Sequence, residues 1–238
     1  MNAPERVMLS NIGAVIIDLD GTMLHTAPDF QVAINRMRDE LGLAPLTIDT
    51  ITDFVGKGTE SLIRRVLSVD FDSMETERHF EQALTSYQRH YLAINGDYTT
   101  IYPYVREGLD ALQTKGLRLA CVTNKPIAFA LPLLEKMGLR PYFELVYGGD
   151  SFPRKKPDPY PLLRVCEDFE LPPTRVAAIG DSSNDAQAAR AAGCRVLIVP
   201  YGYNHGQSIQ EVDSDGIVST LLDAAHLISA EITTYVSR

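Results

Sequence analysis

Two pairs of aspartates have the residue types and spacing that phosphoryl transfer needs. Asp18 and Asp20 lie in residues 18–22, which read Asp-Leu-Asp-Gly-Thr, and Asp181 and Asp185 lie in a second acidic segment. Carboxylate oxygens such as those of Asp18, Asp20 and Asp181 suit Mg²⁺, which takes a few protein ligands and keeps some water. Asp18 can attack phosphorus, while Asp20 can protonate the leaving oxygen and then deprotonate a water molecule. These residues predict a magnesium-dependent phosphoryl-transfer site.

A hydroxyl, an amide and a lysine extend this candidate site. Thr123 and the backbone amides near it can bind the equatorial phosphate oxygens, with Asn124 as a further substrate ligand, and Lys156 can offset negative charge. Asp185 can hold a metal-bound water or orient Lys156. Each residue alone also fits a structural role, as a turn, a strand-end hydroxyl, a solvated lysine or a helix cap.

Five short apolar runs predict the strands that position these residues. They span residues 13–17, 117–122, 144–147, 176–179 and 196–199. Continuous rather than alternating hydrophobicity is typical of strands buried on both faces of a parallel sheet. Segments with helical spacing separate the runs, at residues 105–112, 128–137, 161–169 and 185–192. The alternation predicts an open α/β sheet, whose functional residues collect at the carboxyl ends of the strands.

Residues 26–97, called the helical insert below, break this alternation. Their apolar residues recur at helical intervals and form no convincing strand. We therefore predict two domains: an α/β core from residues 1–25 and 98–238, and a helical domain from residues 26–97. Each candidate catalytic residue falls at the end of a predicted core strand, and this joint agreement favours the catalytic interpretation over separate structural ones.

Composition limits the partners and the compartment. The 238 residues carry a net charge of −9, which argues against nucleic-acid binding because no basic surplus is available to displace counterions. Three widely spaced cysteines favour buried thiols in a reducing compartment. The charged residues Glu5 and Arg6 lie near the N-terminus, where no signal peptide is evident. No apolar run reaches the length of a membrane span. We expect a cytoplasmic protein without a membrane partner.

Four motifs make the chain resemble the haloacid dehalogenase superfamily over essentially its whole length. The motifs are Asp-Leu-Asp-Gly-Thr at 18–22, Thr123 within 122–125, Lys156 within 156–159, and Asp181 with Asp185 within 180–185. The resemblance implies a three-layer Rossmann-like core with a helical cap inserted after the first motif. It also implies that Asp18 is nucleophile and metal ligand, that Asp20 is the acid and base with its carbonyl on the metal, and that Asp181 is the third protein ligand.

Secondary segments resemble those of phosphoglycolate phosphatases within this superfamily. They lie at residues 22–29, at residues 54–58 and at residues 201–204. The chain departs from the usual pattern at His25 and Thr26, where Asp-Ser is common, and at Lys57, where asparagine is expected. Lys57 either faces the carboxylate of a substrate or is a solvated loop lysine.

The resulting hypothesis is a Mg²⁺-dependent phosphatase that acts on a small phosphorylated metabolite, such as 2-phosphoglycolate, as a monomer or homodimer. A phosphosugar mutase or a pyrophosphatase on the same scaffold remains an alternative. A dehalogenase is less consistent with the second aspartate, Asp20. A receiver-like signalling module phosphorylated on aspartate would be much shorter and would lack the helical insert.

Overall fold

A computed structural model describes residues 8–230 and contains one large parallel sheet. The strands of the described residues are β1 (Leu9–Ile12), β2 (Ala14–Ile17), β3 (Leu24–His25), β4 (Thr100–Ile101), β5 (Arg118–Val122), β6 (Leu145–Tyr147), β7 (Val176–Gly180), β8 (Arg195–Ile198), β9 (Gly216–Ile217) and β10 (Ile228–Ala230). Six of them form the sheet, in the parallel order β6-β5-β2-β7-β8-β9. Strand β2 is therefore flanked by β5 and β7, and the carboxyl ends of all three meet at one edge.

Helices connect the strands of the sheet and also fill the helical insert. Those of the described residues are α1 (Ala27–Glu40), α2 (Ile48–Thr52), α3 (Thr59–Leu67), α4 (Ser73–Ile94), α5 (Val105–Thr114), α6 (Ile127–Lys136), α7 (Tyr160–Asp168), α8 (Ser183–Ala192) and α9 (Leu221–Leu227). The five predicted sheet strands and the four predicted connecting helices are all present, with ends that differ by one or two residues.

The sheet is buried on both faces, as its continuous apolar runs predict. Along β2, Val15 and Ile17 pack into one cluster with α5, α6 and α9, whereas Ala14 and Ile16 pack into another with α7 and α8. This division follows from the two-residue repeat of a strand, which points successive side chains to opposite faces. The predicted three-layer α/β core is confirmed.

The helical insert contains α1 to α4 and has an apolar cluster of its own. Phe129 and Tyr203, which come from outside the insert, join that cluster. The short antiparallel pair β3–β4 carries the chain into and out of the insert. The division into two domains stays a prediction, and residues 1–7 and 231–238 of the predicted core, Glu5 and Arg6 among them, lie outside the described residues.

A buried aspartate ties together the two ends of the helical insert. Asp29, on the first turn of α1, accepts hydrogen bonds from the amides of Gly96 (2.7 Å) and Tyr98 (2.8 Å) and from the hydroxyl of Thr99 (2.6 Å). Three donors satisfy a buried carboxylate that would otherwise be costly to desolvate. Asp29 therefore fixes where the chain leaves and re-enters the core.

Several short strands have no sequence pattern that predicts them. Strand β1 pairs in parallel with β10 more than two hundred residues away, and its two middle residues are exposed. Such short strands are defined by their distant partners rather than by local periodicity. Among residues 8–230, no helix has the length and apolarity to cross a membrane.

Candidate active site

Strand pairing brings the predicted catalytic residues to one edge of the sheet. Asp18 follows β2 directly, and its amide donates to the carbonyl of Ile179 in β7 at 3.0 Å. Thr123 follows β5, and its amide donates to the carbonyl of Tyr147 in β6 at 3.0 Å. Because these bonds continue the parallel ladders, the backbone at the strand ends is held in register.

Three carboxylates crowd together at this edge. One oxygen each from Asp18, Asp181 and Asp185 lies within 4.8 Å of the other two. Burial raises the pKa of Asp18 to about 7 despite the opposing charge of Lys156. Burial and the charges of Asp185 and Asp18 also raise the pKa of Asp181 well above its ordinary value. A divalent cation would relieve this repulsion, so the donor set fits a hard metal ion such as Mg²⁺.

Lys156 bridges two of these carboxylates. Its Nζ lies 2.8 Å from Asp18 Oδ1, 2.6 Å from Asp185 Oδ1 and 2.7 Å from the carbonyl oxygen of Val122. Burial by itself lowers the pKa of Lys156, but the two carboxylates outweigh it and raise the pKa above its ordinary value. The ammonium is therefore held charged beside the proposed nucleophile.

Asp185 is fixed by its own helix as well as by Lys156. Its Oδ2 accepts from the hydroxyl of Ser182 at 2.6 Å and from the Ser182 amide at 3.2 Å. The bond from the Ser182 amide is one half of a capping box at the start of α8. With Oδ1 on Lys156 and Oδ2 on Ser182, the geometry favours the interpretation in which Asp185 orients Lys156.

Asp181 occupies a narrow space between two loops. Its Oδ1 accepts from the Thr22 hydroxyl at 3.0 Å, and its Oδ2 accepts from the Tyr203 amide. A Cβ atom placed on Gly21 or on Gly202 would lie 2.1 Å from Asp181 Oδ2. Glycine is therefore required at both positions, and at Gly21 a φ of 85° adds a second reason.

Asp20 has a partner that the sequence analysis did not identify. Its carboxylate oxygens lie 3.0 and 3.2 Å from Nζ of Lys125, a residue that is almost fully buried. Lys125 comes two residues after Thr123, just beyond a predicted strand, and this position is the feature of the sequence that could have indicated a place in the site. Its charge alone could not show that the side chain points inward.

The helical insert contacts this edge through the carbonyl of Gly56. That oxygen accepts from Nδ2 of Asn124 at 2.9 Å and from Nδ2 of Asn184 at 3.1 Å. Asn124 Nδ2 also lies 2.8 Å from the carbonyl of Lys156. Asn124 thus connects the insert, the end of β5 and the loop that carries Lys156.

A cavity that holds the predicted residues opens between the insert and the sheet edge. Its lining includes the predicted residues Asp18, Asp20, Thr123, Asn124, Lys156, Asp181 and Asp185. The insert contributes mainly apolar and small residues to the opposite wall: Phe30, Val55, Gly56, Gly58, Thr59, Leu62 and Tyr87. Lys57 is exposed and is not part of this lining, so its predicted contact with substrate stays a prediction.

The fold is a parallel sheet with an inserted helical segment, and four carboxylates and two buried lysines lie at the carboxyl edge of the sheet. This combination is typical of a hydrolase of the α/β class that transfers phosphoryl groups. The family model for haloacid dehalogenase-like hydrolases matches residues 12–193. The chain belongs to this family, and the predicted resemblance and the prediction of an enzyme are confirmed.

Relatives place the chain close to one group of enzymes. It is 52% identical to the phosphoglycolate phosphatase of Nitrosospira multiformis, over 91% of this chain and 96% of the relative. It is 46% identical to that of Thiobacillus denitrificans, over 92% of this chain and 96% of the relative. The crystal structure of a predicted phosphoglycolate phosphatase from Haemophilus somnus superimposes with a TM-score of 0.87 at 32% identity, covering 91% of this chain and 97% of that one.

Proposed function

We propose that this protein is a magnesium-dependent phosphatase that hydrolyses 2-phosphoglycolate to glycolate and phosphate through an aspartyl-phosphate at Asp18. The observation that carries the proposal is the meeting of Asp18, Asp20, Thr123, Lys156 and Asp181 in one cavity. The choice of 2-phosphoglycolate rests on the relatives, which are named for that activity.

The first half of the reaction transfers the phosphoryl group to the protein. A carboxylate oxygen of Asp18 attacks phosphorus, and the bond between phosphorus and the ester oxygen of the substrate breaks. Asp20 gives its proton to that departing oxygen, so that glycolate leaves as an alcohol. The Thr123 hydroxyl, whose Oγ1 accepts from the Lys125 amide at 3.2 Å, can donate to an equatorial phosphoryl oxygen.

The second half returns the phosphoryl group to water. Asp20, now ionised, takes a proton from the water molecule whose oxygen attacks phosphorus. The bond between phosphorus and Asp18 breaks, which releases phosphate and regenerates the carboxylate. Throughout both steps Lys156 offsets the charge of Asp18, from a distance of 2.8 Å.

Asp18, Asp181 and the backbone carbonyl of Asp20 would hold Mg²⁺, as predicted from the motifs. A bound Mg²⁺ would supply charge stabilisation for the phosphoryl oxygens. The crowding of three carboxylates within 4.8 Å supports this assignment, because the single positive charge of Lys156 does not balance all three.

The helical insert acts in this proposal as a cap. It contributes a largely apolar wall to the cavity, which excludes bulk water and shapes the space for a short ester. We further propose that the enzyme acts in the cytoplasm as a monomer or homodimer, on a small phosphorylated metabolite.

A phosphate-release assay with purified protein tests the function. The panel contains 2-phosphoglycolate, glucose 1-phosphate, glucose 6-phosphate and pyrophosphate, with Mg²⁺ and with EDTA. We expect the highest kcat/KM for 2-phosphoglycolate, no turnover in EDTA, and recovery on addition of Mg²⁺. Isomerised sugar phosphate without phosphate release would indicate a mutase, and preferred cleavage of pyrophosphate would indicate a pyrophosphatase.

A further inference from the structure

The reaction proposed above assigns no binding role to one buried lysine that lies where the helical insert meets the sheet edge. The side chain of Lys125 is 2% exposed, and its Nζ lies 3.0 and 3.2 Å from the carboxylate oxygens of Asp20. The same nitrogen lies 4.4 Å from the ring centroid of Phe30 and 4.7 Å from that of Tyr91, both in the insert. Asp20 on one side and two aromatic faces on the other compensate the burial of this charge.

The two lysines of the cavity differ in the number of donors they have left. An ammonium group carries three N–H donors. Lys156 directs them at Asp18, Asp185 and the carbonyl of Val122. Among the described residues, Lys125 has oxygen partners on Asp20 alone, and aromatic rings are weak acceptors. Lys125 can therefore bind a further anion without breaking the contacts of Lys156.

The charges around the cavity show why such a cation matters. Four carboxylates and only two lysines line it. For a substrate whose only anionic group is its phosphate, the positive charges of Lys156 and of a bound metal ion can offset that group without a further hydrogen-bond donor. A second anionic group on the substrate would be repelled by the carboxylates unless a cation faced it, and exposed Lys57 does not line the cavity.

We propose that Lys125 determines specificity by binding the carboxylate of a short phosphorylated acid, with the rings of Phe30 and Tyr91 holding its ammonium at the insert side. This inference rests on the proposed function and names the residue that recognises the acid part of its substrate. The ammonium then bridges the carboxylate of the substrate and Asp20, which brings the bound acid next to the residue that handles the proton.

Two substrates of nearly the same shape distinguish binding of the substrate carboxylate by Lys125 from a role in which Lys125 only positions Asp20. They are 2-phosphoglycolate and 2-phosphoglycolamide, whose neutral amide replaces the carboxylate. Lys125→Met keeps the length and the apolar stem of the side chain and removes the charge. We expect the ratio of kcat/KM for the acid over the amide to fall about 10- to 100-fold, which corresponds to the loss of a hydrogen bond to a charged group. Lys57→Met, measured in the same way, should leave the ratio at its wild-type value.

An equal loss on both substrates in Lys125→Met would mean that Lys125 only holds Asp20 in place, and would overturn the inference. A ratio that falls in Lys57→Met and not in Lys125→Met would overturn it in favour of the exposed lysine. If circular dichroism shows that Lys125→Met does not fold, Lys125→Gln supports the same comparison. Failure of the proposed function appears separately, as a wild-type enzyme that does not hydrolyse 2-phosphoglycolate.

Discussion

The two walls of the cavity are built in different ways. At the sheet edge, the polar side chains are buried and hold one another: Lys156 bridges Asp18 and Asp185, while Thr22 and the Tyr203 amide hold Asp181. The helical insert faces them with apolar and small residues and makes hydrogen bonds across the gap through the carbonyl of Gly56. One wall therefore fixes charges for the reaction, while the other supplies shape through apolar surface and a backbone carbonyl.

The comparison is tested most strongly at Lys156, the centre of the charged wall. Lys156→Met removes a buried cation and leaves Asp18 and Asp185 without it, so we expect the free energy of unfolding to fall by about 3 kcal/mol. Chemical denaturation measures the change. The control is Lys155→Met, an exposed neighbour in the same loop, for which we expect a change within about 0.5 kcal/mol. Similar losses in the two variants would contradict the assignment of Lys156 as the central ion-pair partner.

The hydrogen bond between the two walls should respond more weakly, and in substrate binding rather than in stability. Asn184 donates to the Gly56 carbonyl at 3.1 Å and lies 3.1 Å from Nε2 of His205. In Asn184→Ala we expect kcat/KM for 2-phosphoglycolate to fall about 3- to 10-fold, mainly through KM, because a net hydrogen bond between the walls is lost. Asn35→Ala provides the control, since the hydrogen bonds of Asn35 within residues 8–230 go to the Leu46 backbone inside the insert. A larger effect of the Asn35 variant on KM would argue against the Gly56 contact.

The smallest expected effect lies inside the insert, at a cluster of side chains that do not line the cavity. Glu40 on α1 accepts hydrogen bonds from Ser86, His90 and Arg89 on α4, and these bonds lower its pKa to about 2. A carboxyl with a depressed pKa stabilises the folded state above its ordinary pKa of 4.5, and that contribution is lost as pH falls toward 2.

The Glu40→Gln variant should therefore melt below the wild type at pH 6, and the difference in Tm should shrink between pH 4.5 and pH 2. Thermal unfolding followed across this range measures it. Glu81→Gln, at an exposed position on α4, should show no such difference at pH 6. A difference in Tm that widens as the pH falls would contradict the lowered pKa of Glu40.

The sequence predicted the charged wall better than the insert. Asp18, Thr123 and Asp181 each follow a strand whose apolar run is readable in the chain, and the parallel arrangement then brings them together. The partners of Asp20 could not be predicted in this way. The inward direction of Lys125 depends on Phe30 and Tyr91, which belong to helices far away in the chain.

The same limit applies to Lys57 and to the outer strands. A lysine in a glycine-rich loop has no periodicity that tells an inward from an outward side chain, and the structure places Lys57 on the exposed side. Strand β1 is short and half exposed, so only its pairing with β10 identifies it. Local patterns predict buried regular elements, whereas contacts between distant segments need the fold.

The proposed mechanism requires Asp18 to carry the phosphoryl group. The Asp20→Asn variant with p-nitrophenyl phosphate and Mg²⁺ should accumulate the intermediate, because this leaving group needs no proton whereas the attack of water needs a base. Acid quenching, borohydride reduction of the acyl phosphate and peptide mass mapping then locate it. Homoserine should replace aspartate at position 18 only when substrate and Mg²⁺ are both present. Reduction at another carboxylate, or a burst of p-nitrophenol with position 18 unmodified, would contradict it.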